Sequence, residues 1–307
     1  MNYIGVDIGG TKISVALVTD DGHVIARADG PTPKTSVAGD AILNRVGAMA
    51  IELMNGHDDV AGVGVGAGGQ VDPLNGRIIT ATDVIPGWAG AEVASVLSSR
   101  LRLPVAVDND VNALAVGEAR FGAACGHNTV IFLALGTGVG GALLVNGHLH
   151  RGGHWSGAEF GHIILSMESD APFDLGGSQG TLEAYVSGYG LVNTWRAISG
   201  SDDPCVTGKD IGEEASIDSG STAAEAVRKT GRTLGFGIAS LANALDPDII
   251  VVGGGLSSLG DLLLNPARSV LAERGLPWVK HCPVAPAQQG SDASVIGAAA
   301  LAMRSKV

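Results

Sequence analysis

Two short apolar stretches, each followed by a glycine turn and then by a second apolar stretch, set the frame of this chain. The run Tyr3 to Val6 leads into Asp7-Ile8-Gly9-Gly10-Thr11-Lys12 and out to the alternating run Ile13 to Val18. Val130 to Leu133 leads into Leu135-Gly136-Thr137-Gly138-Val139-Gly140-Gly141 and out to Ala142 to Val145. A β-branched stretch, a Gly/Thr turn and an immediate second strand predict a hairpin whose turn exposes backbone N–H groups. Asp20-Asp21-Gly22 then turns the first hairpin into a third strand, Val24 to Ala28. Over Val37 to Met54 the residues Ala41, Ile42, Val46, Met49 and Leu53 fall on one helical face. A strand over Val60 to Val65 ends in the flexible turn Gly66-Ala67-Gly68-Gly69. A helix over Glu92 to Leu101 and a strand Val105-Ala106-Val107 follow, the strand running into Asp108-Asn109-Asp110. The first half therefore reads β-β-β-α-β-α-β. The second half repeats the opening with strands near 129–134, 142–146 and 147–150. A long helix over Ala223 to Leu245, a strand Ile249 to Val252 and helices near 258–273 and 293–304 complete it. Ser199 to Ser219, rich in Gly, Ser and Asp, predicts a flexible surface excursion.

Glycine in one tight hairpin is ordinary. Two such turns, each with a Thr hydroxyl and one with Asp and Lys beside it, point instead to a clamp for polyphosphate. The second turn also spells G-x-G-x-x-G at Gly136, Gly138 and Gly141, but a dinucleotide fingerprint requires a helix next, and a strand is predicted there. No Gly-Lys-Ser/Thr completes a P-loop. A duplicated core with a phosphate turn after the first strand of each half implies an α/β fold of the two-lobed kind shared by actin, Hsp70 and sugar kinases, which is ribonuclease H-like. A nucleotide is expected in the cleft. The N-terminal lobe is expected over 1–115 plus 297–307 and the C-terminal lobe over 116–296.

Composition narrows the partners. At 307 residues the chain is long enough for two ordinary domains. A net charge of −12 without a basic stripe excludes a nucleic-acid or anionic-membrane surface. A small substrate remains. No apolar run reaches the length of a membrane span and the first strand begins at Asn2, so neither membrane nor signal peptide is expected and the cytoplasm is the default location. Cys125, Cys205 and Cys282 are odd in number and far apart, which predicts buried thiols and no disulfide framework.

Candidate chemistry gathers at strand ends. Asp108-Asn109-Asp110-Val111-Asn112 sits at a strand-to-helix junction. An Asx residue there is often a helix cap, the reading taken for Asp108. Three Asx side chains exceed that need, and a carboxylate at this point can accept the proton of an alcohol attacking a phosphate while a neighbouring amide orients it. Glu159-Phe160-Gly161-His162 and Leu182-Glu183-Ala184-Tyr185 add donors and acceptors of the kind that a ring of hydroxyls requires.

DIGGTK, DNDVNALAVGE, LGTGVGGALLVNG, GAEFGHI, LEAY and LDPDIIVVGGG, in this order across essentially the whole chain, resemble the ROK family of sugar kinases and related repressors. The resemblance implies an ATP-dependent kinase, of the glucokinase or N-acetylmannosamine kinase kind. It places the ATP phosphates on Gly9, Gly10, Thr11, Lys12, Thr137 and Gly138, the adenosine-side turn on Gly254 and Gly255, and Mg²⁺ on Asp7 through water. The general base falls on Asp110. Sugar contacts fall on Asn109, Asp110, Glu159, His162 and Glu183, with Gly68, Gly69 and Thr82 lining the sugar site. A homodimer or homotetramer is expected. Glucose is the first choice of acceptor, N-acetylmannosamine the second and fructose a weaker one, and polyphosphate stands as an alternative donor. A non-catalytic sugar sensor is the alternative of another class. With the first strand expected from Asn2, the winged helix of the repressors is not expected.

One departure is sharp. Family members commonly follow G-H-I with C-x-C-G-x-x-G-C-L-E, whose His and three Cys hold a structural zinc. Here Asp174, Gly176 and Thr181 stand in the three cysteine slots. A closed structural zinc site takes four N or S donors, so no zinc is expected. His148, His150 and His154 match no standard metal spacing and read as polar hairpin residues.

Overall fold

The computed structural model describes residues 1–34, 38–82 and 84–303. In chain order its strands are β1 (Asn2–Ile8), β2 (Lys12–Thr19), β3 (Val24–Pro31), β4 (Val60–Ala67), β5 (Gln70–Asp72), β6 (Arg77–Thr80), β7 (Val105–Asn109), β8 (Val130–Leu135), β9 (Val139–Val145), β10 (His148–Leu149), β11 (Ile249–Gly253) and β12 (Val284–Pro286). The helices are α1 (Ala38–Met54), α2 (Val93–Leu101), α3 (Asp110–Phe121), α4 (Leu182–Val186), α5 (Gly188–Ser199), α6 (Gly208–Ile217), α7 (Thr222–Leu245), α8 (Asp261–Arg274) and α9 (Ala293–Ala302). Val37, expected to open the first helix, lies outside the described residues.

The chain divides into two compact units. The first holds residues 1–126, 151–157 and 288–307, and the second holds 127–150 and 158–287. α3 is unbroken from Asp110 to Phe121, so residues 116–126 group with the first unit, as do 288–296, which lead into and open α9.

In the first unit the sheet order is β3-β2-β1-β4-β7. β1, β2 and β3 pair antiparallel, whereas β4 and β7 run parallel to β1. Ile4, Val6, Ile8, Ile13 and Val15 are fully buried with Ile42 and Val46 of α1 and Leu97 of α2. The opposite face packs on α9, whose Val295 and Ala299 meet Ala16 and Val18. Gly5 and Gly64 allow that approach. A Cβ on either would fall 1.9 Å from Val295 O or 1.7 Å from Ala298 O, so any side chain there would push α9 off the sheet.

The second unit repeats the plan in the order β10-β9-β8-β11-β12, with β8, β9 and β10 antiparallel and β11 and β12 parallel to β8. Its core joins Ile131, Leu133 and Leu135 of β8 to Leu234 and Ile238 of α7 and Leu263 of α8.

Three expectations are corrected. The segment 199–219 holds α6. Thr207 and Asp210 form a capping box, Asp210 N donating to Thr207 Oγ1 (3.3 Å) and Thr207 N to Asp210 Oδ2 (2.8 Å), and Ile211 and Ala215 anchor the helix by burial. Cys125 and Cys205 are exposed and only Cys282 is partly buried. Turns carry the first two, and burial pushes the Cys282 thiol up to about 11. Asp108 does not cap α3. Asn109 does, its Oδ1 accepting from Val111 N (2.9 Å) and Asn112 N (3.3 Å). Among the described residues no helix is long and apolar enough to cross a membrane.

Candidate active site

In the first unit, Gly9 and Gly10 of the β1–β2 turn, Gly68 and Gly69 after β4, Thr82, Trp88 and Asp110 line one cavity of about 150 Å³. The first turn is closed by Gly9 N donating to Lys12 O (3.0 Å) and braced by Thr32 Oγ1 donating to Gly9 O (2.6 Å). The N–H groups of Gly10 and Thr11 take no partner among the described residues, which leaves them for an anion. Lys12 does not line the cavity. Its exposed ammonium lies 3.1 Å from Asp29 Oδ1.

Asp110 opens α3, and its Oδ1 accepts from Val111 N (2.9 Å). Burial pushes its carboxyl above the usual carboxylate range, against the hydrogen bonds from Val111 and Asn109. The Asp7 carboxyl is pushed the same way, first by burial and then by the charge of Asp110, while a hydrogen bond to Ser294 opposes the shift. A carboxylate raised by the charge of a second one suits a nearby divalent cation, the donor chemistry that Mg²⁺ takes. Asn109 Nδ2 donates to Gly69 O (3.1 Å), so one amide both caps α3 and holds the glycine turn. The indole Nε1 of Trp88 is buried without a hydrogen-bond partner among the described residues, and Trp88 is 1% exposed. A buried donor left unpaired is costly. A polyhydroxyl ligand in this cavity would satisfy it.

The second unit carries a larger space of about 1030 Å³. Gly136 and Thr137 of the β8–β9 turn, Gly255 after β11, and faces of α5 and α6 line it, with Tyr189, Val192 and Leu259 among the apolar groups and Lys209 and Glu213 among the charged ones. The turn is tied by Gly136 N donating to Gly138 O (2.9 Å) and by Gly188 N donating to Gly136 O (2.8 Å). Gly254, at φ +83°, could not carry a Cβ, which would fall 2.4 Å from Leu135 O. Glu183 Oε2 accepts from Val139 N (2.8 Å) directly beyond the turn. Glu159 immediately precedes the short 3₁₀ turn Phe160–His162.

Asp174 and Thr181 are buried together. Thr181 Oγ1 donates to Asp174 Oδ2 (2.9 Å) and accepts from Ala184 N (3.2 Å) to cap α4, while Ser178 N donates to Asp174 Oδ1 (2.8 Å). His162 Nδ1 lies 3.8 Å from Asp174 Oδ2, with the ring 57% exposed. Burial pushes the Asp174 carboxyl up, but the hydrogen bonds from Ser178, Thr181 and Gly176 and the nearby His162 outweigh it and hold the group below the usual range. The four positions that correspond to the family's zinc slots, His162, Asp174, Gly176 and Thr181, are thus joined here by polar contacts to Asp174. His148, His150 and His154 are exposed.

Comparison with known proteins matches the ROK family over residues 3–305. The chain belongs to the ROK family. The glucokinase of Streptomyces coelicolor is 36% identical over 315 residues, covering 97% of this chain and 96% of that protein. That of Halalkalibacterium halodurans is 34% identical over 311 residues, covering 96% and 93%. The structure of a ROK family glucokinase from Streptomyces griseus in complex with glucose and AMPPNP matches with a TM-score of 0.79 and 37% identity, over 98% of this chain and 99% of that one. The fold is accordingly the duplicated α/β fold of actin, Hsp70 and sugar kinases.

In this ROK protein the structure brings Gly9, Gly10, Gly68, Gly69, Thr82 and Asp110 to one cavity, and Thr137 and Gly255 to another. Residues that the sequence reading missed are Trp88 in the first and Tyr189, Lys209, Glu213 and Ser216 in the second. The T-x-x-D spacing of Thr207 and Asp210 was the available signal for α6. Nothing local marked Trp88.

Proposed function

We propose that this ROK protein is a hexose kinase that transfers the γ-phosphoryl group of ATP to the 6-hydroxyl of an aldohexose, with glucose as first acceptor and N-acetylmannosamine as second. The observation that carries the reading is Asp110, a half-buried carboxylate with a raised pKa in a cavity walled by two glycine turns. A base whose pKa lies nearer neutrality takes a proton from an attacking hydroxyl more readily than an ordinary carboxylate does. The relatives named above support the acceptor and the donor.

In this reading the free N–H groups of Gly10 and Thr11 and the Thr137 hydroxyl bind phosphate oxygens, while the apolar wall of α5 and α6 takes the adenosine. Gly138, Gly254 and Gly255 keep the second-unit turns close and unobstructed. Asp7 would hold Mg²⁺, which would offset phosphate charge when bound with nucleotide. Asn109 orients the acceptor beside Asp110. Glu159, His162 and Glu183 contribute further sugar contacts. Asp174 and Thr181 replace the zinc chemistry, and elemental analysis of chelator-washed protein is expected to find well under one zinc per chain. A homodimer or homotetramer by light scattering is expected.

A coupled ADP-release assay over a panel of hexoses and acetylated hexosamines, with ATP and polyphosphate as donors, tests the function. Glucose-dependent ADP release supports it. Sugar binding without ADP release from any member of the panel, or phosphate transfer from polyphosphate but not from ATP, would overturn the reading in favour of a sensor or of polyphosphate as the donor.

A further inference from the structure

Residues 151–157 belong to the first unit, although the strand before them and the 3₁₀ turn after them belong to the second. Their hold on the first unit is polar. Arg151 Nε donates to Asp108 Oδ2 at 2.8 Å, and Arg151 Nη2 lies 2.7 Å from the same oxygen. The Asp108 side chain is only 4% exposed. Its other oxygen accepts from Asn109 N and from Asn112 Nδ2, both at 2.8 Å. Further along, Gln70 Nε2 donates to the His154 carbonyl and to Ser156 Oγ, and Gly157 N closes the loop on Arg151 O at 2.9 Å. Trp155 within the loop has φ +59° and Ala158 directly after it has φ +66°. Left-handed backbone at non-glycine residues persists where surrounding contacts over-determine it, and it clusters at functional sites.

We infer that Arg151 is a positioning residue for the acceptor site, holding the Asn109-Asp110 junction through Asp108 while the 151–157 loop is fastened to the Gly68-Gly69-Gln70 turn. The inference rests on the hexose kinase reading. Arg151 is not among the residues lining the 150 Å³ cavity, so its effect is indirect and short. Asp108 is a buried anion, and Arg151 is its ion-pair partner among the described residues. Without that cation the carboxylate must rotate toward water or draw water in, and either motion releases Asn109 N and Asn112 Nδ2. Asn109 is the residue that caps α3 in front of Asp110 and holds the Gly69 carbonyl. One ion pair thus governs the aim of the carboxylate and the shape of the turn that faces it. The bond from Gln70 to the loop makes the same turn answer to the loop from its other side.

The experiment uses the full chain with ATP, Mg²⁺ and glucose, and compares wild type with Arg151→Met, Arg151→Lys and the double variant Asp108→Asn/Arg151→Met. Arg151→Met is expected to lower kcat by about 10- to 100-fold and to raise the glucose KM, with the ATP KM within about twofold of wild type. Arg151→Lys keeps the charge and is expected to recover most of the loss. The double variant removes the unpaired buried charge, so it is expected to regain the wild-type Tm while kcat stays low. Should Arg151→Met fail to fold, the other two variants decide. Wild-type kcat and glucose KM in Arg151→Met, or recovery of both with the Tm in the double variant, overturns the inference and leaves the pair as a stability element. Glucose affinity by calorimetry without nucleotide separates this from the function itself. A wild type that binds glucose but releases no ADP sinks the kinase reading, and weaker binding by Arg151→Met then still upholds the positioning role.

Discussion

The two units share one strand order and one glycine turn, but they load that scaffold with opposite chemistry. In the first unit the turn opens on a small cavity lined by the half-buried Asp110 carboxylate and by Trp88, whose indole N–H has no partner among the described residues. In the second, the equivalent turn opens on a space about seven times larger, walled by Tyr189, Val192, Leu256 and Leu259. The difference arises in the connections. Between β3 and β4 the first unit inserts α1 alone, whereas between β10 and β11 the second inserts α4 to α7, of which α5 and α6 supply the apolar wall. Proton transfer needs a desolvated charge, and a purine ring needs flat apolar surface. A duplicated backbone can therefore serve as acceptor site and donor site once its insertions diverge.

The sharpest way to break this division is at Asp110. Asp110→Asn keeps the shape and removes the base, and is expected to lower kcat by about 10² or more with sugar binding largely kept. Because burial raises the Asp110 pKa, the base is lost as pH falls through a value above the ordinary carboxylate range. The acid limb of the wild-type kcat/KM profile is expected there and not near the unperturbed value of about 4. A variant with wild-type turnover would remove Asp110 from the mechanism.

His162 tests whether acceptor recognition is confined to the first unit. In the proposed reading His162→Ala would remove one or two hydrogen bonds to the sugar, worth roughly 1 to 3 kcal/mol, so the sugar KM is expected to rise about 5- to 150-fold with the ATP KM little changed. An unchanged sugar KM would show that the segment from His162 to Glu183 no longer keeps the family's roles. A paired test sharpens the contrast. Ser216→Trp projects a bulky ring into the second-unit space and is expected to raise the ATP KM about tenfold, while Trp88→Phe removes the indole N–H together with part of a buried ring system and is expected to raise the sugar KM by about fivefold. Effects that cross over between the two substrates would dissolve the division.

The smallest effect expected is at Asp174. Its folded pKa is depressed, so its stabilising contribution is present above the unfolded value and is lost as pH falls through the folded one. Asp174→Asn is therefore expected to be less stable than wild type at neutral pH and to show a flatter fall in Tm below about pH 4. Equal acid slopes in the two proteins would remove Asp174 as the group responsible.

What was legible in the sequence follows from local physics. Both hairpins, the parallel strands β4, β7 and β11, and α7 were readable because β-branched runs bounded by glycine and a long amphipathic repeat state their own conformations, whereas the short β12 was missed. The six ordered motifs led to the Asp110 cavity and the two turns. α6 escaped because Gly208 and Gly212 weaken its intrinsic helicity, and its capping box and buried Ile211 and Ala215 supply what composition hides. Asp108 was misread as a cap because a cap and an ion-pair anchor look alike until Arg151, distant in sequence, is placed beside it. Trp88 reveals itself only through burial without a partner, which no sequence pattern records.

The central claim is transfer to the 6-hydroxyl with Asp110 as base, and nuclear magnetic resonance of the product tests it most directly. With ATP, Mg²⁺ and ¹³C-labelled glucose, the phosphate ester is predicted at C6 in step with ADP release, with 6-deoxyglucose inert and Asp110→Asn nearly so. Ester at another carbon, ADP release with 6-deoxyglucose at the glucose rate, or a fully active Asp110→Asn would contradict the account.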